Sequence, residues 1–245
     1  MSAAAEDDRY AYSRAALARL ALSDARRDLA DRSASGVPTD TDPWSSGEHV
    51  RAARELVDLA EEVLTRAVVY ERSRGTSWET IGSELDITRQ SAHTRFRDDE
   101  TRWQQALLEP VKSIAGGKLR SLELPEAAYR PTEAGQRLDH WAQIHCPEFG
   151  EVPAPVTGNL PPLTTIEEMN QILAAMEHLY ADPSTPPDPA ARLRLAERKA
   201  ALLERIAVEE GSAQAHETAA GARALVAELR SELEQSRNGV DRRGP

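Results

Sequence analysis

The sequence is short of cysteine, of aromatic residues and of long apolar runs, and each shortage excludes a class of protein. Of the 245 residues, Cys146 is the one cysteine, and aromatic residues make up 4%. No intramolecular disulfide can form, so the reducing cytoplasm is the expected compartment. No run approaches the roughly 18 apolar residues of a membrane-spanning helix, and residues 1–10 lack the apolar centre of a secretory signal. We therefore expect a cytoplasmic protein with no membrane partner.

Alanine supplies much of the apolar content instead. The chain holds 39 alanines, and this residue favours helix while burying little area. The richness in alanine, leucine, glutamate and arginine predicts an all-α fold with thin, bundle-like cores. The net charge of −11 excludes a basic nucleic-acid module in bulk, so any contact with DNA must come from a local patch.

Glycine and proline divide the sequence into four segments. Residues 1–47 read as an N-terminal helix followed by a linker, and residues 48–146 begin with a long amphipathic helix. Residues 147–163 contain five prolines, a density that no regular helix survives, and are predicted to be a linker. Residues 164–245 are predicted to be a C-terminal helical region that mediates oligomerisation.

The most informative segment is 76–97. Ser77 and Thr88 are suited to cap two successive short helices. Gly82 allows a second helix to approach closely, and Asp86 is a residue type that tolerates a left-handed backbone at a turn. Spacings of three and four place five apolar side chains on the inner faces of the two helices: Trp78, Ile81, Leu85, Ala92 and Phe96. The pattern predicts two helices packed across a tight turn.

This segment resembles the helix-turn-helix of bacterial regulators. More narrowly, it is similar to the sigma-region-4-like units of actinobacterial DNA-binding proteins, through the residues W-E-T-I-G-S-E-L-D-I-T-R-Q-S-A-H-T-R-F at 78–96. The helix at 48–74 takes the place of the supporting first helix, and the match covers roughly a fifth of the chain. It departs at Asp86, where the family favours glycine. The resemblance implies a helix-turn-helix domain whose second helix, 88–97, lies in the major groove.

The residues themselves support this interpretation. Residues 88–97 contain three arginines and no acid, a local charge of +3 in an acidic protein. Arg89 is suited to guanine and Gln90 to adenine, while the start of the first helix is suited to a phosphate. We therefore expect nine DNA-contacting residues: Thr76, Ser77, Thr88, Arg89, Gln90, Ser91, His93, Thr94 and Arg97.

An acidic run follows the predicted reading helix at Asp98, Asp99 and Glu100. If the helix continues straight, these side chains oppose non-specific DNA binding, so one copy should bind weakly and two copies should be needed. Alternatively, the acids end the helix and point away from DNA.

The C-terminal region carries three apolar patterns. Thr165 and Glu168 have the spacing of a capping box, and a row predicted to be core follows it: Ile166, Met169, Leu173, Met176 and Tyr180. Two heptad-like seams flank Gly211 and Ser212, and they predict a helical hairpin or a coiled coil: Leu193, Ala196, Ala200, Leu203 and Ala207, then Ala215, Ala219, Ala222, Val226, Leu229 and Leu233. Either the seams form an intramolecular hairpin or they hold two chains together as a homodimer.

Other chemistries find little support. His140, His145 and Cys146 match no common zinc spacing, and no convergent acid, base or nucleophile set appears. We expect no metal, no cofactor and no enzymatic activity. The leading hypothesis is a sequence-specific double-stranded DNA-binding protein, a dimeric transcriptional regulator associated with the nucleoid. The alternative is a coiled-coil adaptor or scaffold whose helix-turn-helix docks a protein, or whose acidic C-terminal helices bind a basic protein partner, since residues 121–245 carry a net charge of −8.

Overall fold

A computed structural model describes residues 8–39, 44–114, 119–181, 184 and 186–241. Contacts divide the chain into unit 1, which ends at Leu163, and unit 2, which begins at Thr164. The helices of unit 1 are α1 (Arg14–Ser35), α2 (Glu48–Ser73), α3 (Trp78–Glu84), α4 (Arg89–Leu108), α5 (Glu126–Tyr129) and α6 (Pro131–His145). Those of unit 2 are α7 (Thr165–Leu179), α8 (Pro189–Glu210) and α9 (Ala213–Asp241). The prediction of a predominantly helical chain is confirmed.

Unit 1 adds small elements to its helices. Two short 3-10 helices span Asp8–Ala11 and Pro147–Phe149. Strands β1 (Val111–Ile114) and β2 (Leu119–Leu122) pair antiparallel in a two-stranded sheet that directly follows α4.

α1 is the most enclosed helix of unit 1. Its first half is buried on every side and packs against α2, α5 and α6: Ala15, Ala16, Leu17, Ala18, Leu20, Ala21, Leu22 and Ala25. The division that set residues 1–47 apart as a helix and linker therefore differs from the structure, in which α1 forms the centre of the domain. The physical reason is that residues 15–22 of α1 are apolar at every position except Arg19, and a helical segment that is apolar on nearly every side must be enclosed.

α2 supplies the frame for the rest of unit 1. It begins after Gly47, whose φ is 88°, and the Ser45 N–H donates to the Glu48 carboxylate at 2.8 Å. This hydrogen bond lowers the pKa of Glu48. The apolar stripe expected on this helix is half-buried, and α2 packs against α1: Leu56, Leu59, Val63, Ala67 and Tyr70.

The proline-rich segment 147–163 belongs to unit 1 instead of forming a free linker. The Asp139 carboxylate accepts hydrogen bonds from the backbone N–H groups of Val156, at 2.7 Å, and Thr157, at 3.0 Å. The Ser13 hydroxyl donates to the carbonyl of Pro161 at 2.7 Å. A segment so rich in proline cannot form the regular backbone hydrogen bonds of a helix. Its backbone groups are paired instead with side chains of α6 and of Ser13, the residue that caps α1.

Unit 2 is a thin three-helix unit. α8 contacts both α7 and α9. Ion pairs join Glu197 to Arg230 at 2.6 Å and Glu204 to Arg223 at 3.4 Å, so α8 and α9 run antiparallel. The six seam positions expected on α9 are the residues of 213–235 that are buried or half-buried. Within one chain, that seam is occupied by α8.

α7 differs from its prediction in which face it buries. Ile172 is fully buried and Glu168 is 8% exposed, paired with Arg205 of α8. The apolar row predicted to be core lies largely outside, with Ile166 at 76%, Leu173 at 49% and Tyr180 at 52% exposure. The capping box also differs: Thr164 caps the helix, because its hydroxyl accepts from Glu167 N at 3.2 Å.

Candidate nucleic-acid interface

Two hydroxyl groups start the helices of the 76–97 segment. The Ser77 hydroxyl accepts a hydrogen bond from the backbone N–H of Thr80 at 3.1 Å, and the Thr88 hydroxyl accepts one from Ser91 at 3.1 Å. Both residues have extended backbone angles and hold N–H groups that the first turns leave without partners. The two predicted caps are confirmed.

The turn between α3 and α4 depends on Gly82 and Asp86. Asp86 has a φ of 55°, the one non-glycine residue with positive φ in the described part of the chain. A Cβ on Gly82 would lie 2.8 Å from the carbonyl oxygen of Ile87, and the Ile87 N–H donates to the Gly82 carbonyl at 2.9 Å. The close backbone approach expected at Gly82 is therefore present, and any side chain there would push the two helices apart.

A small apolar cluster joins α2, α3 and α4. Its buried members come from all three helices, and four half-buried residues pack around them: Val68, Ile81, Ala92 and Phe96, with Leu64, Trp78, Leu85 and Ile87. The five apolar residues predicted to face inward all belong to it. Because Ala92 and Phe96 are fixed inside, the polar residues of the first turns of α4 are turned outward.

The outward face of α4 carries four side chains that neither cap a helix nor pack into the apolar cluster. Arg89, Gln90, Thr94 and Arg97 are exposed. Within the described ranges, Arg89 and Gln90 take part in no hydrogen bond or ion pair. Arg97 contacts the neighbouring Asp98, with Nε and Oδ1 3.4 Å apart. These donors are available to a ligand that lies along the helix.

The other predicted site residues divide into capping and packed groups. Ser77, Thr88 and Ser91 are exposed, but their hydroxyl groups take part in the capping hydrogen bonds. The Thr76 hydroxyl donates to Glu71 at 2.7 Å. His93 is half-buried and lies edge-on to Trp78, with ring centroids 5.4 Å apart. Thr76 and His93 are thus held by the protein itself.

Three side chains stacked together, which we call the Arg72 column, orient α4: Arg72, Trp78 and Glu100. The sequence pattern did not point to Arg72. The Arg72 guanidinium lies 4.8 Å from the Trp78 ring centroid and pairs with Glu100 at 3.1 Å. It also donates to the backbone carbonyl of Thr76 at 2.6 Å. Arg72 therefore touches α2, α3 and α4 together. No local signal marks it, because its partners lie up to 28 residues away in sequence.

The acidic run lies within α4, which continues to Leu108. Glu100 is turned toward Arg72, and Asp99 pairs with Arg102 at 3.2 Å. Asp98 remains exposed beside Arg97. Of the two alternatives, the helix continues through the acidic run, and an arginine lies beside each of the three acids.

The histidine and cysteine positions weighed above as zinc ligands lie in or directly after α6. His145 stacks on Trp141, with ring centroids 4.7 Å apart, and Cys146 is half-buried. Over the described ranges, no cluster of three His, Cys, Asp or Glu side chains suits a metal ion. Among those residues, no helix has the length and apolarity needed to span a bilayer.

Comparisons of this chain with protein-family models, curated proteins and solved structures found no match. The case for a nucleic-acid interface therefore depends on the geometry and charge of α3 and α4.

Proposed function

We propose that this protein is a sequence-specific double-stranded DNA-binding regulator of transcription. The observation that carries the proposal is the outward face of α4, where Arg89 and Gln90 are exposed and unpaired on a helix held rigidly by α2 and α3. A major groove about 12 Å wide admits an α-helix, and base edges are reached by its N-terminal residues. Arg89 would bind guanine, and Gln90 would bind adenine, each through two hydrogen bonds.

Phosphate contacts come from the residues around this pair. Arg97 lies two turns further along α4, and Thr94 lies between it and Gln90 on the same face. The Ser77 and Thr88 hydroxyl groups are exposed and act as hydrogen-bond acceptors in their caps, so each can still donate to a phosphate oxygen. Thr76 and His93 are assigned to positioning, because their side chains are already engaged.

We propose that two copies bind one DNA site as a homodimer in the cytoplasm, at the nucleoid. One copy presents only a local +3 next to an acidic run, so its affinity for phosphates is low. The α9 seam is filled by α8 within the chain, so pairing would use another surface. Two half-sites about 34 Å apart on one DNA face would place both reading helices in successive major grooves.

The test is a selection of duplexes from a random pool with the full-length chain, followed by fluorescence anisotropy on the best site. Arg89→Ala combined with Gln90→Ala should weaken binding by at least about tenfold and relax base preference, since each paired contact contributes roughly 1–3 kcal/mol of discrimination. Arg95→Ala is the matched control, because it removes the same charge from another side of α4. Sedimentation of the complex should give two chains per duplex.

The proposal fails if the double variant binds the selected duplex as tightly and as selectively as the parent. A salt titration separates it from the adaptor alternative. Affinity for DNA should fall steeply with salt because counterions are released, whereas an apolar protein partner on α4 would be nearly indifferent.

A further inference from the structure

The exposed row of α7 holds three of the five large apolar side chains that are exposed among the described residues of unit 2. Ile166, Leu173 and Tyr180 recur every seven residues and are 76%, 49% and 52% exposed. Met169 and Met176 border this row and are half-buried. Contiguous apolar patches larger than a few hundred Å² are rare on monomeric proteins and mark interaction sites.

The exposed row is not the face through which α7 packs within unit 2. α7 packs on α8 through a different face, where Ile172 is fully buried and Glu168 pairs with Arg205. Gln171 accepts a hydrogen bond from Arg198 at 3.3 Å on the same side. Turning α7 inward would break these contacts and leave Glu168 without its cation, which is costly for a buried carboxylate. The apolar row is thus exposed because the opposite face of α7 already has its apolar and polar partners on α8.

The charge on the exposed face indicates what covers it. Glu177 lies between Leu173 and Tyr180, is exposed, and has no ion-pair partner among the described residues. α7 contains three glutamates and no lysine or arginine. A second copy of α7 offers Glu177 no lysine or arginine in either orientation, so a homotypic pair leaves this acid at the edge of an apolar seam.

We propose that α7 is a docking surface for an amphipathic helix of another protein, one with an apolar heptad row bordered by lysine or arginine. Leu and Met side chains on both helices interlock as in a two-stranded coiled coil, and a cation of the partner pairs with Glu177. Methionines at the border suit such a surface, because their side chains adapt to different partners. This function is separate from DNA binding by unit 1.

The test uses the full-length chain and two synthetic helical peptides of about three heptads. Both peptides carry leucine at the apolar positions; one has lysine at the flanking positions and the other has glutamate. Fluorescence anisotropy should show the lysine peptide binding at least about tenfold more tightly than the glutamate peptide. Glu177→Lys should reverse that preference, because it inverts the charge beside the row.

Leu173→Gln should weaken binding of the lysine peptide by about tenfold or more, since the substitution removes one leucine side chain that the proposed interface buries. Val208→Gln is the matched control, because Val208 is 77% exposed on α8, and binding should be unchanged. Circular dichroism confirms that each variant is folded. The proposal is overturned if both peptides bind equally, if Leu173→Gln has no effect, or if sedimentation shows the parent chain pairing through Leu173.

Discussion

α4 and α7 each leave one face uncovered, and the two faces have opposite chemistry. The open face of α4 carries Arg89 and Gln90, while its apolar Phe96 is 3% exposed. The open face of α7 carries Ile166 and Leu173, while its Glu168 is buried against α8. In the first two turns of α4 the apolar side chains, Ala92 and Phe96, are inside, as hydrophobic burial requires. In α7 the face toward α8 is instead formed by Ile172 and by Glu168 in its ion pair with Arg205.

The two surfaces are suited to different kinds of partner. A polar face on a helix whose core is complete needs a partner with hydrogen-bonding groups and charge, as the edges and phosphates of DNA offer. An apolar face on a helix whose inner side is also complete gains free energy only by excluding water against another apolar surface. The two proposals therefore predict different responses to substitution.

The largest expected effect tests which face of α7 is buried. Ile172→Ala should lower the free energy of unfolding of unit 2 by about 2–4 kcal/mol, because Ile172 is fully buried. Leu173→Ala, one residue further, should lower it by less than about 1 kcal/mol. All four tryptophans lie in unit 1, so circular dichroism should register the shift while tryptophan fluorescence does not. Equal losses for the two variants would contradict the orientation of α7.

A second prediction tests the close approach of α3 and α4. Gly82→Ala should destabilise unit 1 by about 1–3 kcal/mol, because the new methyl group meets backbone atoms of Ile87 and Thr88. Tryptophan fluorescence during urea unfolding measures it, and DNA affinity should fall as well. Gly221→Ala in α9 is the control: no atom lies within 4 Å of its added Cβ, and helix propensity favours the change by up to about 1 kcal/mol. Similar losses at both glycines would rule out a specific contact at Gly82.

The smallest expected effect concerns Asp98, the acid beside the exposed face of α4. Asp98→Asn should raise DNA affinity by about two- to fivefold, because it releases Arg97 and removes a repulsion toward phosphates. Asp58→Asn, an equal charge change at an exposed position of α2, should leave affinity unchanged. Anisotropy at low salt measures both variants. An unchanged affinity for Asp98→Asn would place α4 away from the phosphates.

The sequence was informative where local rules determine structure. Capping by Ser77 and Thr88 depends on side chains three residues from their partners, and the left-handed Asp86 is set by its own turn. The α9 seam follows from heptad spacing alone. On α4, Arg89 and Gln90 are exposed because Ala92 and Phe96 are inside, a consequence of helical periodicity.

Long-range partners decided the features that sequence reasoning missed. The segment 147–163 is held by Asp139 and Ser13, the latter 148 residues from its partner. The face of α7 that packs on α8 includes the ion pair between Glu168 and Arg205, which lie 37 residues apart in sequence. No local sequence pattern predicts that pair. Apolar spacing predicts which residues share a face, but the available neighbour decides whether that face is covered.

The Arg72 column has a mechanical consequence. α4 cannot rotate about its own axis unless Glu100 leaves Arg72 and His93 leaves Trp78. The direction in which Arg89 and Gln90 point is therefore set in part by the last turn of α2, a helix that itself presents neither of them.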